Sequence, residues 1–120
     1  MNCPQNTDHV MGAGDSAALL QTLTEKSALT ARELDFFRTA AAELEALGRQ
    51  ADLQGTPDQA ELPYLQALKI NAQLLRITGA QCFSQAAAEN CACLADICMQ
   101  QGNLHGADRY YVQQLHFKEN

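Results

Sequence analysis

The sequence contains no tryptophan, only four phenylalanines and three tyrosines, and three prolines among its 120 residues. With so few aromatic side chains, a core must be built mainly from Leu and Ala, with some Ile and Cys. Leu and Ala are strong helix formers, and apolar residues make up 47% of the chain. The composition therefore predicts an all-α protein, and the length fits one domain with a modest core.

Basic residues are scarce, because 8 of them stand against 14 acidic residues and leave a formal net charge of −6. Binding to nucleic acid requires Lys and Arg side chains that neutralise phosphates, and no basic stripe is present. Contact with an anionic membrane surface is disfavoured for the same reason. We therefore expect no nucleic-acid or membrane partner, and we expect a protein or peptide partner to be basic, neutral or apolar.

Long apolar runs are also missing, and no stretch approaches the roughly 20 apolar residues that a transmembrane helix needs. The first 14 residues, Met1–Gly14, carry no Lys, no Arg and no apolar run, so they do not resemble a secretory signal. We interpret residues 1–14 as a flexible tail. We expect a soluble, cytoplasmic protein with a single helical domain over residues 15–120.

The five cysteines are an odd number, and three of them fall within eight residues of one helical pattern. The C-x2-C spacing that is typical of zinc sites does not occur. On a helix, Cys91 and Cys98 share a face, whereas Cys93 points away from it. We therefore expect reduced thiols, with Cys91 and Cys98 packed in the core. The reactivity of Cys93, on the outer side, stays an open question.

Catalytic motifs are lacking as well. No nucleophile elbow is present, and Gly12-Ala13-Gly14 lacks the Lys and the preceding strand of a phosphate-binding loop. A metal site that combines Cys82, His105 and His116 with the other cysteines is a weaker alternative, because four ligands would have to converge tetrahedrally. We expect no enzymatic activity, no cofactor and no metal.

What the sequence does contain is helical periodicity with clear boundaries. Asp15 or Ser16 is predicted to cap a short helix that ends near Lys26 and buries three leucines, Leu19, Leu20 and Leu23. Thr30-Ala31-Arg32-Glu33 has the form of a capping box and predicts the start of a long helix that Gly55 ends. The apolar positions of this helix alternate in steps of three and four. They are Leu34, Phe37, Ala41, Leu44, Gly48 and Ala51.

Three further helices are predicted in the second half. Thr56-Pro57 begins the next one, which Gly79 ends, with one side formed by Ala60, Tyr64, Ala67, Leu68, Asn71 and Leu75. Pro63 lies deeper in it and is expected to cost a hydrogen bond or to kink the helix. Another helix is predicted from about residue 81 to 101, and Asn103 can cap a last one that reaches about Phe117. Five helices with short connections result.

The chain also contains an internal repeat. When the sequence is shifted by 47 residues, residues 41–70 align with residues 88–117, and eight of the 30 pairs are identical. Roughly two identities are expected by chance at average residue frequencies. The matches include the turn glycines Gly55 and Gly102, the small residues Ala60 and Ala107, and the aromatic residues Tyr64 and Tyr111. The tyrosines are expected to fill the space beside the alanines.

This pattern resembles the tetratricopeptide repeat. That family has a large residue, Leu-Gly and an aromatic residue on a first helix, and Ala followed by an aromatic residue on a second helix. The first unit offers Leu44, Leu47-Gly48, Ala51, Ala60 and Tyr64, and the second offers Cys91, Leu94-Ala95, Cys98, Ala107 and Tyr111. The stretch 60–70 is similar to the longer repeats of kinesin light chains, with its Pro displaced by one residue.

The resemblance covers about residues 41–118 and departs from the family in its period, which is 47 residues instead of the usual 34. Gln114 also replaces the small residue that is seen at Ala67. The family implies antiparallel helix pairs stacked as a short right-handed solenoid of about five helices. The units would span about residues 30–78 and 80–118, and the N-terminal helix would act as a cap.

In tetratricopeptide proteins the first helices of the pairs line a concave groove that holds a peptide or helix of a partner. By this resemblance the groove is expected to contain Ala42, Glu45, Arg49 and Asp52 from one unit, and Glu89, Ala92, Cys93, Asp96 and Gln100 from the other. Acidic side chains outnumber Arg four to one, which favours a basic or neutral ligand. The alternative is an ordinary solvated surface.

The last predicted helix carries four large apolar residues, Tyr110, Val112, Leu115 and Phe117, that cannot all face inward. Self-association, a partner at this end or a frayed terminus would each account for them. The leading hypothesis is a protein-binding module without catalysis. The alternatives are a self-associating structural solenoid, which would make the protein a homo-oligomer, and a thiol or metal-binding protein.

Overall fold

The computed structural model describes residues 13–119, with side chains from residue 18 onward. These residues form five helices and no strand, which confirms the all-α prediction. The helices are α1 (Ala13–Thr24), α2 (Ala31–Leu53), α3 (Pro57–Thr78), α4 (Gln81–Gln100) and α5 (Leu104–Lys118). Nearly all of the predicted tail, together with Cys3 and His9, lies outside the described residues. None of the described helices is long and apolar enough to cross a membrane.

The boundaries of α2 and α5 follow from their caps. The Thr30 hydroxyl accepts a hydrogen bond from the Glu33 amide at 3.1 Å, and the Glu33 carboxylate accepts one from the Thr30 amide at 2.9 Å. This reciprocal pair is the predicted capping box. At α5, the Asn103 side chain accepts a hydrogen bond from the Gly106 amide at 3.0 Å. Both predicted helix starts are confirmed.

Helix α1 differs from the prediction. It begins at Ala13, so Asp15 and Ser16 lie inside its first turn instead of capping it, and it ends at Thr24. Its Leu23 is fully buried, as expected. The guanidinium of Arg76 on α3 donates hydrogen bonds to three carbonyls at the end of α1 and just after it. Because those carbonyls have no partner within a helix, Arg76 caps α1 from outside.

Each helix packs mainly against its neighbours in the chain, in the order α2 with α3, α3 with α4, and α4 with α5. Gly55 and Gly102, at φ of 74° and 77°, turn the chain sharply after α2 and after α4. A short connection between two helices that pack along their lengths requires them to run antiparallel. α1 packs chiefly against α3. The result is a row of helices with α2 at one edge and α5 at the other.

The core consists of two clusters of buried apolar side chains, one near each end of the helices. The first joins Leu23, α2, the second half of α3 and Phe83 of α4. The second joins the end of α2, the first half of α3 and the middle of α4, with Tyr110 and Phe117 of α5 packed against it. The apolar stripe predicted for α2 is buried as expected, except for the half-buried Leu34.

The stripe predicted for α3 was incomplete. Ile70 and Leu74 are fully buried, whereas the predicted Leu75 is only half-buried. A single stripe could not account for α3, because this helix lies between α2 and α4 and is covered on both sides. The helix continues through Pro63, which has no amide hydrogen to donate to the preceding turn.

Candidate functional site

The surface where α2 and α4 face each other across α3 contains a hydrogen-bonded group of three side chains. Asn71 of α3 and Asn90 of α4 are both buried, and the Asn71 amide donates to the Asn90 carbonyl oxygen at 2.8 Å. The Asn90 amide donates to Glu45 Oε2 of α2 at 2.8 Å, and the Asn71 amide reaches the same oxygen at 3.4 Å. The half-exposed Glu45 carboxylate is therefore held in one orientation by two buried amides.

The same surface continues toward the other end of α2 and α4. Gln100 of α4 donates to Asp52 Oδ1 of α2 at 3.4 Å, so the two helices meet again there. Arg49 and Asp96 are exposed on it. We call the surface formed by Glu45, Arg49, Asp52, Cys93, Asp96 and Gln100 the α2/α4 groove. With three carboxylates and one guanidinium it carries a net negative charge.

Cys93 lies half-buried in this groove, beside the buried Tyr64 of α3. Burial raises the pKa of the Cys93 thiol, and the nearby charges of Asp96, Glu45 and Asp52 raise it further, while the neighbouring Tyr64 hydroxyl acts in the opposite direction. Burial likewise raises the pKa of Tyr64 to about 12. A raised thiol pKa means little thiolate at neutral pH, which argues against Cys93 as a nucleophile.

A pocket of about 330 Å³ opens at the α1-proximal end of the α2/α4 groove. Its walls come from α2 and α3 on one side and from the first turns of α4 on the other. They include Arg38, Ala41, Ala42, Glu45, Asn71 and Phe83. Phe83 is buried in the first core cluster, so its ring forms the apolar floor of the pocket. The Glu45 carboxylate stands at the rim between this pocket and the rest of the groove.

Of the nine residues predicted for the groove, four make side-chain contacts with a neighbouring helix. Glu45 accepts a hydrogen bond from Asn90 of α4, Asp52 accepts one from Gln100, and Cys93 lies beside Tyr64 of α3. Glu89 lies instead on the outer edge of α4, where it lines a different pocket, between α4 and α5. Ala92, which sequence analysis also assigned to the groove, lines that same pocket. The role of the whole set in binding stays a prediction.

The four apolar residues of α5 for which the sequence left self-association, a partner or a frayed terminus open do not share one surface. Tyr110 and Phe117 are half-buried and pack against the second core cluster. Val112 and Leu115 are exposed. Tyr111, which was expected to pack like Tyr64, is 41% exposed. Tyr111 therefore lies on the outer side of α5, where the sequence did not predict it, and Tyr110 lies on the inner side.

Close packing around Gly48 explains why the two tyrosines of the repeat behave differently. A Cβ atom at Gly48 would lie 2.8 Å from ring carbons of Tyr64, so the ring rests directly on the helix backbone. The equivalent residue 47 positions later is Ala95, whose methyl group takes up that space. α4 also covers Tyr64 from the other side, whereas no described helix follows α5 to cover Tyr111.

The cysteines of α4 behave as core residues. Cys91 and Cys98 are buried, which confirms the prediction for both. Burial raises the pKa of the Cys91 thiol to about 11 and also raises that of Cys98. Within the described part of the chain, no group of three or more His, Cys, Asp or Glu side chains is arranged to hold a metal ion.

The role of the two buried asparagines was not predicted. The sequence places Asn71 on the apolar side of its helix, and it predicts no role for Asn90. The available signal was a polar residue in each of two otherwise apolar helix faces, since a buried amide needs hydrogen-bond partners. Comparisons with family models, curated proteins and solved structures gave no match to this chain. The resemblance to tetratricopeptide repeats therefore rests on the repeat within the chain.

Proposed function

We propose that the chain is a tetratricopeptide-like module that binds an extended or helical segment of another protein in the α2/α4 groove and catalyses no reaction. The proposed arrangement is a short right-handed solenoid of two helix pairs, α2 with α3 and α4 with α5, with α1 attached to α3. The repeat supports this arrangement, because Gly55 and Gly102 both adopt a left-handed backbone conformation and Ala60 and Ala107 are both buried.

The observation that carries the proposal is the fixed position of the Glu45 carboxylate. Asn71 and Asn90 donate to one of its oxygens, and both amides are held by burial and by each other. A binding site gains affinity when its polar groups are already oriented before the ligand arrives. The other oxygen of Glu45 is then free to accept a hydrogen bond from a ligand.

The charge of the groove selects the chemistry of the ligand. Glu45, Asp52 and Asp96 outnumber Arg49, and Asp52 and Asp96 are exposed. Complementary charge favours a segment with Lys or Arg side chains and disfavours an acidic tail. An apolar side chain of the same segment would fit the pocket above Phe83. The favoured ligand is therefore a basic peptide with at least one apolar anchor.

Selection from a random peptide library on the immobilised chain tests this proposal. An enriched peptide would be labelled, and its dissociation constant measured by fluorescence anisotropy at low and high salt. The doubly substituted variant Asp52→Lys/Asp96→Lys is expected to weaken binding by about tenfold or more, because it replaces attraction by repulsion. Binding of the wild-type chain is expected to weaken as salt rises.

The matched control is Asp108→Lys, which changes the same kind of exposed carboxylate on α5, away from the groove. Circular dichroism would confirm that both variants keep their helices. Equal losses in the control and in the groove variant would refute the α2/α4 groove as the binding site. Failure to enrich any basic peptide would refute the proposed ligand class.

A further inference from the structure

A second pocket, of about 530 Å³, opens on the outer side of α4 and α5, away from α3. Five of its wall residues lie 47 positions after five wall residues of the pocket above Phe83. In the order of the chain they are Gln85, Ala88, Glu89, Ala92 and Lys118, which correspond to Arg38, Ala41, Ala42, Glu45 and Asn71. The two pockets are thus the same site in the two halves of the repeat.

The two equivalent pockets differ in what occupies them. In the first half, the N-terminal part of α4 lies on α2 and α3, and Phe83 is buried there with Phe37, Ala41 and Ala67. In the second half, no described helix covers the site. The residue that corresponds to Phe83 by the repeat is Phe36 on α2, and its side chain is 53% exposed. The chain therefore has an uncovered pocket on α4 and α5. It also has an exposed face of α2 that is equivalent to the α4 face packed against the corresponding pocket in the first half.

We propose that the chain associates head to tail with a second copy, so that α2 of one copy packs on α5 of the next and reaches the start of α4, as α4 packs on α3 and reaches α2 through Phe83 within the chain. We call the outer face of α2 with Phe36 and Leu47 the head, and the outer face of α4 and α5 with Tyr111 and Leu115 the tail. The proposal uses the helix-pair stacking of the proposed solenoid but does not depend on any ligand of the groove.

Apolar contacts within the chain predict the contacts between copies. Leu94 of α4 is fully buried in the cluster that contains Tyr64 and Leu68 of α3. By the 47-residue shift, Leu47 is equivalent to Leu94, and Tyr111 and Leu115 are equivalent to Tyr64 and Leu68. Leu47, Tyr111 and Leu115 are all exposed large apolar side chains. Head-to-tail association would bury them together, whereas the capping ends of helical repeat proteins usually carry polar outer faces.

A polar contact within the chain becomes an opposite-charge pair between copies. Within the chain, Asn71 donates a buried hydrogen bond to Asn90. Lys118 lies 47 residues after Asn71, and Glu43 lies 47 residues before Asn90, so Lys118 of one copy would face Glu43 of the next. Among residues 18–119 neither Glu43 nor Lys118 has an ion-pair partner, and the recorded ion pair joins Lys26 and Glu33. Opposite charges at this position would attract the two copies in the proposed register.

The far end of the interface gives a third correspondence. Within the chain, Gln100 donates a hydrogen bond to Asp52. The residue equivalent to Gln100 is Leu53 on the head of one copy, and the residue equivalent to Asp52 is Met99 on the tail of the other. Leu53 is 82% exposed, and Met99 is also exposed. The polar pair of the first half is thus replaced by two apolar side chains that would bury each other.

Head-to-tail contact predicts assembly without a fixed size, because each added copy presents a new tail or a new head. It leaves the α2/α4 groove open, since Arg49 and Asp96 lie on another side of α2 and α4 from the head and tail. Sedimentation velocity over a range of concentrations is expected to show an average mass that rises beyond a dimer. A wild-type chain that stays monomeric at every concentration would overturn the proposal.

Two variants test the direction of the contact. Phe36→Asp removes the head and Leu115→Asp removes the tail, and both residues are exposed, so both variants are expected to fold, as circular dichroism would verify. Each variant alone is expected to be monomeric. An equimolar mixture is expected to form a dimer and nothing larger, because one intact tail meets one intact head. A mixture that stays monomeric, or variants that associate as the wild type does, would overturn the head-to-tail geometry.

Charge exchange tests the register of the contact. Glu43→Lys and Lys118→Glu are each expected to weaken self-association by about tenfold or more, because each places like charges opposite one another. Mixing the two variants restores opposite charges at every contact and is expected to restore association. Asp96→Lys, in the groove, is the matched control and is expected to associate as the wild type does. Loss in each variant without recovery in the mixture would overturn the pairing of Glu43 with Lys118.

Discussion

The close approach of Tyr64 to Gly48 gives the sharpest prediction at the scale of single residues. Alanine in a helix is usually more stable than glycine by about 0.8–1 kcal/mol. At Gly48 the new Cβ would meet the buried Tyr64 ring at 2.8 Å. Gly48→Ala is therefore expected to lower the free energy of unfolding by about 1–3 kcal/mol, as overpacking does. Urea denaturation followed by circular dichroism measures this change.

A double-mutant cycle identifies the cause of that loss. In the Gly48→Ala background, Tyr64→Leu is expected to cost less than it does in the wild type, because the smaller side chain relieves the clash. If Gly48→Ala instead stabilises the protein by the usual helix preference, the Tyr64 ring does not rest on the backbone of α2 as described.

The buried asparagine pair gives a second residue-scale prediction. Asn90→Leu leaves the buried Asn71 amide with only its 3.4 Å contact to Glu45, and is expected to lower the free energy of unfolding by about 1–3 kcal/mol. The double variant Asn71→Leu/Asn90→Leu removes both polar groups together and is expected to cost less than the sum of the two single changes. Chemical denaturation of the three variants gives the coupling, and strictly additive losses would contradict a hydrogen-bonded pair.

At the scale of helices, Arg76 adds polar contacts that hold the end of α1 beside its buried Leu23. Arg76 donates to the Lys26 carbonyl at 2.9 Å and to those of Leu23 and Thr24 at 3.3 Å. Arg76→Gln is expected to lower the free energy of opening of α1 by about 1.5–3 kcal/mol, since bonds from a charged donor are lost. Hydrogen exchange read by mass spectrometry should then be faster in α1 alone.

The matched control for this experiment is Arg109→Gln, which removes an exposed guanidinium from α5 without touching α1. Exchange in α1 should be unchanged in that variant. If Arg76→Gln speeds exchange equally in α1 and in α3, Arg76 supports the whole fold, and the assignment of Arg76 as an external cap of α1 fails.

The helices were predictable where their ends carry local signals, and less so where burial depends on neighbours. The capping box at Thr30 and the left-handed glycines act within a few residues, so the sequence alone indicates them. The start of α1 was missed because the helix begins at Ala13, two residues before Asp15. Tyr111 was misassigned because its exposure depends on Ala95 and on the lack of a described helix beyond α5.

At the scale of the whole molecule, the repeat links the proposed groove to the proposed association. The family pattern predicts Glu45 and Asp52 on one surface with residues of α4, and both side chains accept hydrogen bonds from α4. The support from Asn71 and Asn90 could not, since it requires three helices to converge. The equivalence of the two pockets also became visible only when both were compared across the 47-residue shift.

The central claim is that a basic peptide binds in the α2/α4 groove, and chemical-shift mapping by NMR tests it most directly. The labelled chain would be titrated with an enriched peptide, with Leu115→Asp added to keep it monomeric. The account predicts that the perturbed amides cluster around Glu45, Asp52, Cys93 and Asp96. Perturbations confined to the pocket between α3 and α5, lined by Glu61, Lys69 and Arg109, would contradict it.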